Sequence, residues 1–297
     1  MSNPKDKLIT ILGPTATGKS RLGVKMAREF NGEIISADSR QVYRGLDIGS
    51  AKITPEEMKG VPHHLIDIAS PRRVFTVAQF QKLAIKSAQK IIQNNKTPFL
   101  VGGSPFYIYS VTEGWKLSSV PRNQSLRKRL EKKKPEELFR ILQELDSEYA
   151  QKVDPFNARR LIRAIEIASV AGQVPPRQSQ PAFQTLFLGL NYPLPELKNK
   201  ITRRLNQRLK SGLIEEVKTL REIPLSWKRL EDFGLEYRWA AYYLQNKVDY
   251  PEMKSGIIKD SLKLVKHQLN WFKKDQRIHW LKESNQARDL IRNFLNK

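Results

Sequence analysis

The 297-residue chain contains no cysteine, which excludes a disulfide framework, a thiolate zinc site and thiol catalysis. Histidine is scarce: His63, His64, His267 and His279 are the only four. The first two are adjacent and their side chains diverge, so a structural zinc site has little to rest on. No stretch of eighteen apolar residues occurs, so no segment reads as a membrane-spanning helix. Internal repeats and low-complexity tracts are also missing. Acidic residues are the last shortage. There are 30 Asp+Glu against 53 Lys+Arg, a net charge of +23, and the isoelectric point is about 10.1.

So large a basic excess points to a polyanionic partner, most simply a nucleic acid. Its distribution fits a folded surface rather than a tail. Arg122 to Arg163 holds 12 basic and 7 acidic residues, net +5, and Lys254 to Lys297 holds 11 and 4, net +7. The polar start MSNPKDK is unlike a secretory signal. The expectation is a soluble cytoplasmic protein that does not engage a membrane.

Residues 11–25 read ILGPTATGKSRLGVK, in which Gly13, Gly18, Lys19 and Ser20 complete the pattern G-x-x-x-x-G-K-[ST]. In such a loop, backbone N–H groups cradle a polyphosphate, the lysine neutralises it and the hydroxyl holds Mg²⁺. A chain this long shows the pattern by chance about once in a hundred. Context strengthens it: Lys7 to Leu12 is a short apolar run, and Leu22, Met26 and Phe30 follow at helical spacing. Strand, glycine-rich turn and helix are the setting the motif requires.

Further short apolar runs read as strands at Glu33–Ala37, Pro98–Gly103, Thr185–Leu190 and Arg277–Leu281, with helical patterns such as Phe75–Gln93 between several of them. Alternation of this kind predicts an α/β fold: a P-loop core with a parallel sheet flanked by helices. Residues 121–181 hold only helical patterns. One of them opens near Asp154 or Asn157 and stops at Gly172, Pro175 and Pro176. This section reads as an all-helical insertion domain between two parts of the core, 1–120 and 182–297. A further helical region covers Glu196 to Arg221. Directly after the second strand comes ADSRQVYRGLDIGSAK. Strand C-termini face the ligand crevice in parallel sheets, so Asp38 is expected near the phosphate loop. By position alone it reads equally well as a turn or helix-capping aspartate.

At this point the chain resembles the bacterial tRNA dimethylallyltransferases (tRNA isopentenyltransferases). The likeness runs over essentially the whole chain. It is carried in order by GPTATGKS, ISADSRQVYRGLDIGSAK, GVPHHLIDI, FLVGGSPFY, NARRLIRAIEI, ITRRLNQRLKSGLIEEV and HQLNWFKKDQRIHWL. The resemblance implies transfer of a dimethylallyl group from dimethylallyl diphosphate to N6 of adenosine 37, beside the anticodon in the tRNA anticodon stem-loop. Diphosphate is then the leaving group, and a monomer is the expected state.

The resemblance also assigns residues. Gly13, Pro14, Thr15, Ala16, Thr17, Gly18, Lys19 and Ser20 hold the donor diphosphate, with Ser20 the contact to a Mg²⁺ cofactor. Lys19 and Arg204 stabilise charge on the departing diphosphate, and Asp38 matches the family's proposed base. Asp38, Ser39, Arg40 and Gln41 match the segment that contacts the flipped adenosine, and Ser104 matches a family threonine near the same channel. Arg127, Arg159, Arg160, Leu161, Ile162 and Arg163 match tRNA-contacting positions, although Leu161 and Ile162 suit packing better than base reading. Without the resemblance, Arg204 reads as a solvated helical arginine, and KRLEKKK reads equally as a solvated helix face.

The chain departs from the family pattern in several places. Ser104, Pro105 and Phe106 stand where Thr, Gly and Leu are usual, so Pro105 is expected to stiffen this turn. Ser50 and Ile53 replace Thr and Pro, DFGLEYRW replaces a Gly-Tyr-Arg-Gln-type segment, and His267 stands where Arg is common. Two rivals stay open: a phosphate-loop kinase or NTPase, and a non-enzymatic RNA-binding protein. The first needs an apolar strand ending in an acid, for which HHLIDI is the nearest candidate.

Overall fold

A computed structural model describes residues 6–176 and 178–296. The first part of the polar start and Lys297 of the basic C-terminal segment lie outside the described residues. The chain packs as two compact units, Met1–Gly114 with Pro181–Lys297, and Trp115–Gln180. The smaller unit thus begins six residues before the expected 121. An isolated antiparallel bridge between Trp115 and Ser179 ties its two ends together, and a single bridge leaves no strand pattern to read.

The larger unit is built on six strands: β1 (Asp6–Leu12), β2 (Gly32–Ala37), β3 (His63–His64), β4 (Thr97–Gly102), β5 (Phe183–Gly189) and β6 (Ile278–Trp280). They form one sheet in the order β3-β2-β4-β1-β5-β6, and every pairing is parallel. The last five residues of β1, β2 and β4 are all buried, as expected where helices cover both faces of a sheet. On one face Ile9, Ile11, Met26, Ile34, Phe99 and Leu188 form a core with Ala287 and Ile291 of the C-terminal helix Ser284–Asn296.

β3 is the strand the sequence did not show. It is two residues long and pairs only with Ile34 and Ile35, so no apolar run was available to mark it. The helical region after β5 is two helices, Leu194–Lys210 and Leu213–Glu222. Gly212 separates them at φ +98, a backbone state that favours glycine. Helix Pro105–Thr112 starts at Pro105 itself, a first helical position that accepts proline without strain.

The smaller unit contains helices Gln124–Leu130, Pro135–Leu145, Ser147–Ala150 and Ala158–Ala171. Asn157 caps the last of these by accepting from the Arg160 N–H, and Gly172 closes it. Leu130, Leu138, Leu142, Leu161 and Ile165 form its core.

Candidate active site

The C-terminal ends of β1, β4 and β2 lie side by side, with Leu12 paired to Gly102 and Gly102 to Ala37. Three turns leave this edge: Gly13–Ser20, Gly103–Ser104 and Asp38–Gln41.

The first turn is shaped by its backbone. Gly13 has φ +147, and a Cβ there would lie 2.2 Å from the Leu190 carbonyl oxygen. Gly18, at φ +83, starts helix Lys19–Glu29 without a side-chain cap. The helix therefore opens with no side chain capping its first turn, and a helix N-terminus that opens from such a loop is suited to binding anions. Inside the loop, Thr17 Oγ1 and Lys19 Nζ both donate to the Pro14 carbonyl, at 2.9 and 2.6 Å. Burial pushes the Lys19 amine down to about 7. Nearby Arg204 lowers it further, and Asp38 acts in the opposite direction. Ser20 is exposed at the helix start.

Arg204 lies on helix Leu194–Lys210, where a small crevice is lined by Thr15, Ala16, Arg204, Arg208, Glu236 and Ser261. Burial, then the neighbouring Arg208, lowers the Arg204 guanidinium to about 10. It is therefore not the solvated arginine that its helix alone suggests. Arg208 is paired with Glu236, both about 10 % exposed, and its Nε is buried without a partner.

On the acceptor side, Asp38 Oδ1 accepts from the Arg40 N–H at 2.8 Å and the Gln41 N–H at 3.3 Å. Asp38 is thus a turn-capping aspartate, and it also lies close enough to Lys19 and Arg204 to influence both charges. The Ser39 N–H donates to Ser104 Oγ at 3.2 Å. Arg40 Nε donates to the Phe233 carbonyl. Gln41 is buried; its amide donates to the Ala51 carbonyl at 3.0 Å and accepts from Ser36 Oγ at 3.3 Å. Gln41 therefore stiffens the turn from inside rather than facing a ligand.

Sequence reasoning missed two residues: one joins two of these turns, and the other holds the segment that follows the third. Gln268, on helix Tyr250–Phe272, accepts from the Thr15 N–H at 3.0 Å and donates to the Gly103 carbonyl at 2.7 Å. Glu216 accepts from the N–H groups of Asp47, Ile48 and Gly49, at 2.9, 2.6 and 3.0 Å, and from the Tyr237 hydroxyl at 2.9 Å. Both fall inside motifs that were read, HQLNW and GLIEEV, but their partners are far away in sequence.

The arginines of the smaller unit divide into two groups. Arg127 makes a bidentate pair with Glu166 at 2.7 and 2.6 Å, and Arg163 reaches the same carboxylate at 3.3 Å. Arg163 also donates to the Val120 carbonyl at 2.9 Å. Arg159 and Arg160 are exposed. Leu161 and Ile162 are buried in the core, so they support the helix and cannot themselves meet RNA. Among the described residues there is no cluster of three or more acidic or histidine side chains suited to a metal ion. No described helix is long and apolar enough to cross a membrane. Asp67, the acid of HHLIDI, is paired with Lys52 beyond the edge strand β3, away from the phosphate loop at the end of β1.

The IPP transferase family profile matches residues 41–275. A tRNA dimethylallyltransferase 1 of Syntrophus aciditrophicus is 40% identical over 275 residues, which cover 91% of this chain and 90% of that protein. A tRNA dimethylallyltransferase of Syntrophomonas wolfei is 39% identical over 283 residues, covering 92% and 91%. Among solved structures, the full-length tRNA isopentenylpyrophosphate transferase of Bacillus halodurans superposes with a TM-score of 0.74 at 35% identity, covering 98% of this chain and 96% of that one. The glycine-built loop, the half-buried lysine and arginine beside it and these matches agree, and the chain belongs to the IPP transferase family.

Proposed function

We propose that the chain transfers the dimethylallyl group from dimethylallyl diphosphate to N6 of adenosine 37 in the tRNA anticodon stem-loop, releasing diphosphate. It acts as a monomer in the cytoplasm. The observation that supports the residue assignment is the proximity of Lys19, Arg204 and Asp38: Arg204 and Asp38 both act on the Lys19 charge, and Asp38 acts on that of Arg204.

The adenine amine is a weak nucleophile because its lone pair is delocalised into the ring. N6 attacks C1 of the dimethylallyl group, and the C1–O bond breaks with its electron pair leaving on the diphosphate. The N6 proton passes to Asp38, whose placement suits a general base. Lys19, Arg204 and the loop N–H groups stabilise the growing phosphate charge, and they are already oriented before it appears. The donor set fits Mg²⁺, which keeps several waters and is held largely by phosphate oxygens. Ser20 would then be its protein contact, and the ion would add further neutralisation of the leaving group.

Ser39 and Ser104, joined by their hydrogen bond, line the side from which an extruded base arrives. Exposed Arg159 and Arg160 contact tRNA phosphates. The test is single-turnover transfer from labelled donor to tRNA. Asp38→Asn keeps size and hydrogen bonding but cannot take the proton, so its rate falls by roughly two to four orders of magnitude. A near-normal rate removes Asp38 from the base role.

A further inference from the structure

Helix Tyr250–Phe272 buries Val265, Leu269 and Phe272 along one face, and Gln268 lies among them, 6 % exposed. A primary amide in an apolar stripe is costly unless both its ends are hydrogen-bonded. Here both are, and both partners are backbone groups of the site. Thr15 N–H can only donate and the Gly103 carbonyl can only accept, so the amide has one workable orientation. The fit is close: a Cβ at Gly103 would lie 2.7 Å from Gln268 Nε2, 3.1 Å from the Gly13 oxygen and 3.5 Å from Lys19 Nζ.

A continuous path follows from these bonds. It runs from the diphosphate loop through Thr15 to Gln268 and Gly103, then from Ser104 to Ser39, next to Asp38. One N–H of the loop, that of Thr15, is taken up by Gln268. We propose that Gln268 is a positioning residue that fixes the donor loop relative to the turn carrying the base, setting the distance over which the dimethylallyl carbon meets N6. This rests on the site reading above.

The experiment compares Gln268→Glu and Gln268→Met with wild type. It measures single-turnover transfer at saturating dimethylallyl diphosphate and tRNA over a range of pH, the binding of each substrate alone, and thermal melting. A misplacement of the reacting groups by about 1 Å costs on the order of 100-fold in rate. Both variants are expected to lose about that much at pH 8 while binding either substrate within about threefold of wild type. The carboxylate introduced by Gln268→Glu cannot donate to the Gly103 carbonyl when ionised, but the protonated acid can. The Gln268→Glu rate, taken relative to wild type at each pH, therefore recovers as the pH falls, and the Gln268→Met rate does not.

Rates near wild type in both variants would overturn the proposal. So would losses that follow donor affinity or melting temperature without any recovery in acid, because Gln268 would then be only a packing residue. Asp38→Asn run alongside separates this result from the base assignment. A full rate there removes the base and leaves the positioning result to stand or fall alone.

Discussion

At Arg127 a structural role and an RNA-binding role give opposite results. Its side chain is 20 % exposed and its guanidinium pairs with the Glu166 carboxylate, whose side chain is 1 % exposed. Four donors converge on that carboxylate: Arg127 Nε at 2.7 Å, Arg127 Nη2 at 2.6 Å, the Asn123 N–H at 2.9 Å and Arg163 Nη1 at 3.3 Å. Burial pushes the Glu166 carboxyl up, but the bonds from Arg127, Asn123 and Arg163 outweigh it and hold the group below its ordinary value. Removing one partner of a buried pair costs about 3–5 kcal/mol. Arg163 and Asn123 remain in Arg127→Ala, so the low end, about 3 kcal/mol, is expected. In a unit the size of Trp115–Gln180, each kcal/mol moves the melting temperature by about 4–8 °C, so the shift is roughly 10–25 °C downward.

The assays are hydrogen exchange resolved by segment, and tRNA binding at several salt concentrations below the new melting point. Exchange should accelerate in 123–171 and stay unchanged in the sheet. The salt slope of tRNA binding should stay at the wild-type value. The pH dependence has a definite sign. The carboxyl is depressed in the folded state, so its stabilisation is present above the ordinary value of 4.5 and is lost as pH falls through the lower folded value. The gap between wild type and Arg127→Ala should therefore narrow in acid. An unchanged melting point with a log–log salt slope reduced by roughly 0.7 to 0.9 would refute the argument, since that is the signature of a lost phosphate contact.

Arg159→Ala with Arg160→Ala should do the reverse, weakening tRNA binding and flattening the salt slope by up to about two such units with melting unchanged. Lys19→Ala should weaken donor binding and turnover with tRNA affinity nearly unchanged, as separate titrations of the two ligands would show. Gly103→Ala should abolish transfer in a folded protein, because its new methyl meets Gln268 and the Gly13 carbonyl; circular dichroism beside the transfer assay checks both halves. Glu216→Ala leaves the Asp47, Ile48 and Gly49 N–H groups without their acceptor and should cost about 2–3 kcal/mol in chemical denaturation.

The phosphate loop was legible because its requirement is local. A backbone that turns through positive φ and packs against Leu190 needs Gly13 and Gly18, and glycine, lysine and hydroxyl follow one another in the chain. Four of the strands were legible because burial on both faces leaves largely continuous apolar runs, whereas the edge strand β6 was marked only by Ile278, Trp280 and Leu281, since two of its three residues are exposed. β3 was not, since two histidines paired to one neighbour carry no such run. Gln268 was hidden because its partners are 253 and 165 positions away. The partners of the arginines of the smaller unit were hidden for a related reason. Sequence displays a formal charge, but not which carboxylate lies against it. Arg127 and Glu166 meet across 39 positions, and that contact separates a structural cation from one free to meet a phosphate.

The same distinction governs the site. The protein carries a large positive excess, yet the cations beside the phosphate loop are partly offset in the folded chain. Burial and Arg204 bring the Lys19 amine down to about 7, and Glu236 balances Arg208. Arg204 keeps its charge but is lowered to about 10 by burial and by Arg208. Holding such groups together opposes folding, because desolvated like charges lack the water that would screen them. In the proposed reaction a bound diphosphate would offset that penalty, since the cations beside the loop would then face opposite charge. A ligand that binds only the folded state stabilises it, so the donor should raise the melting temperature of the larger unit. In the proposed reaction the charge that would bind the donor is also the charge that would stabilise the leaving group. Catalysis therefore depends on how much of that interaction is held back until the C1–O bond breaks. That makes the position of the loop relative to Asp38, set through Gln268, as consequential as the charge itself.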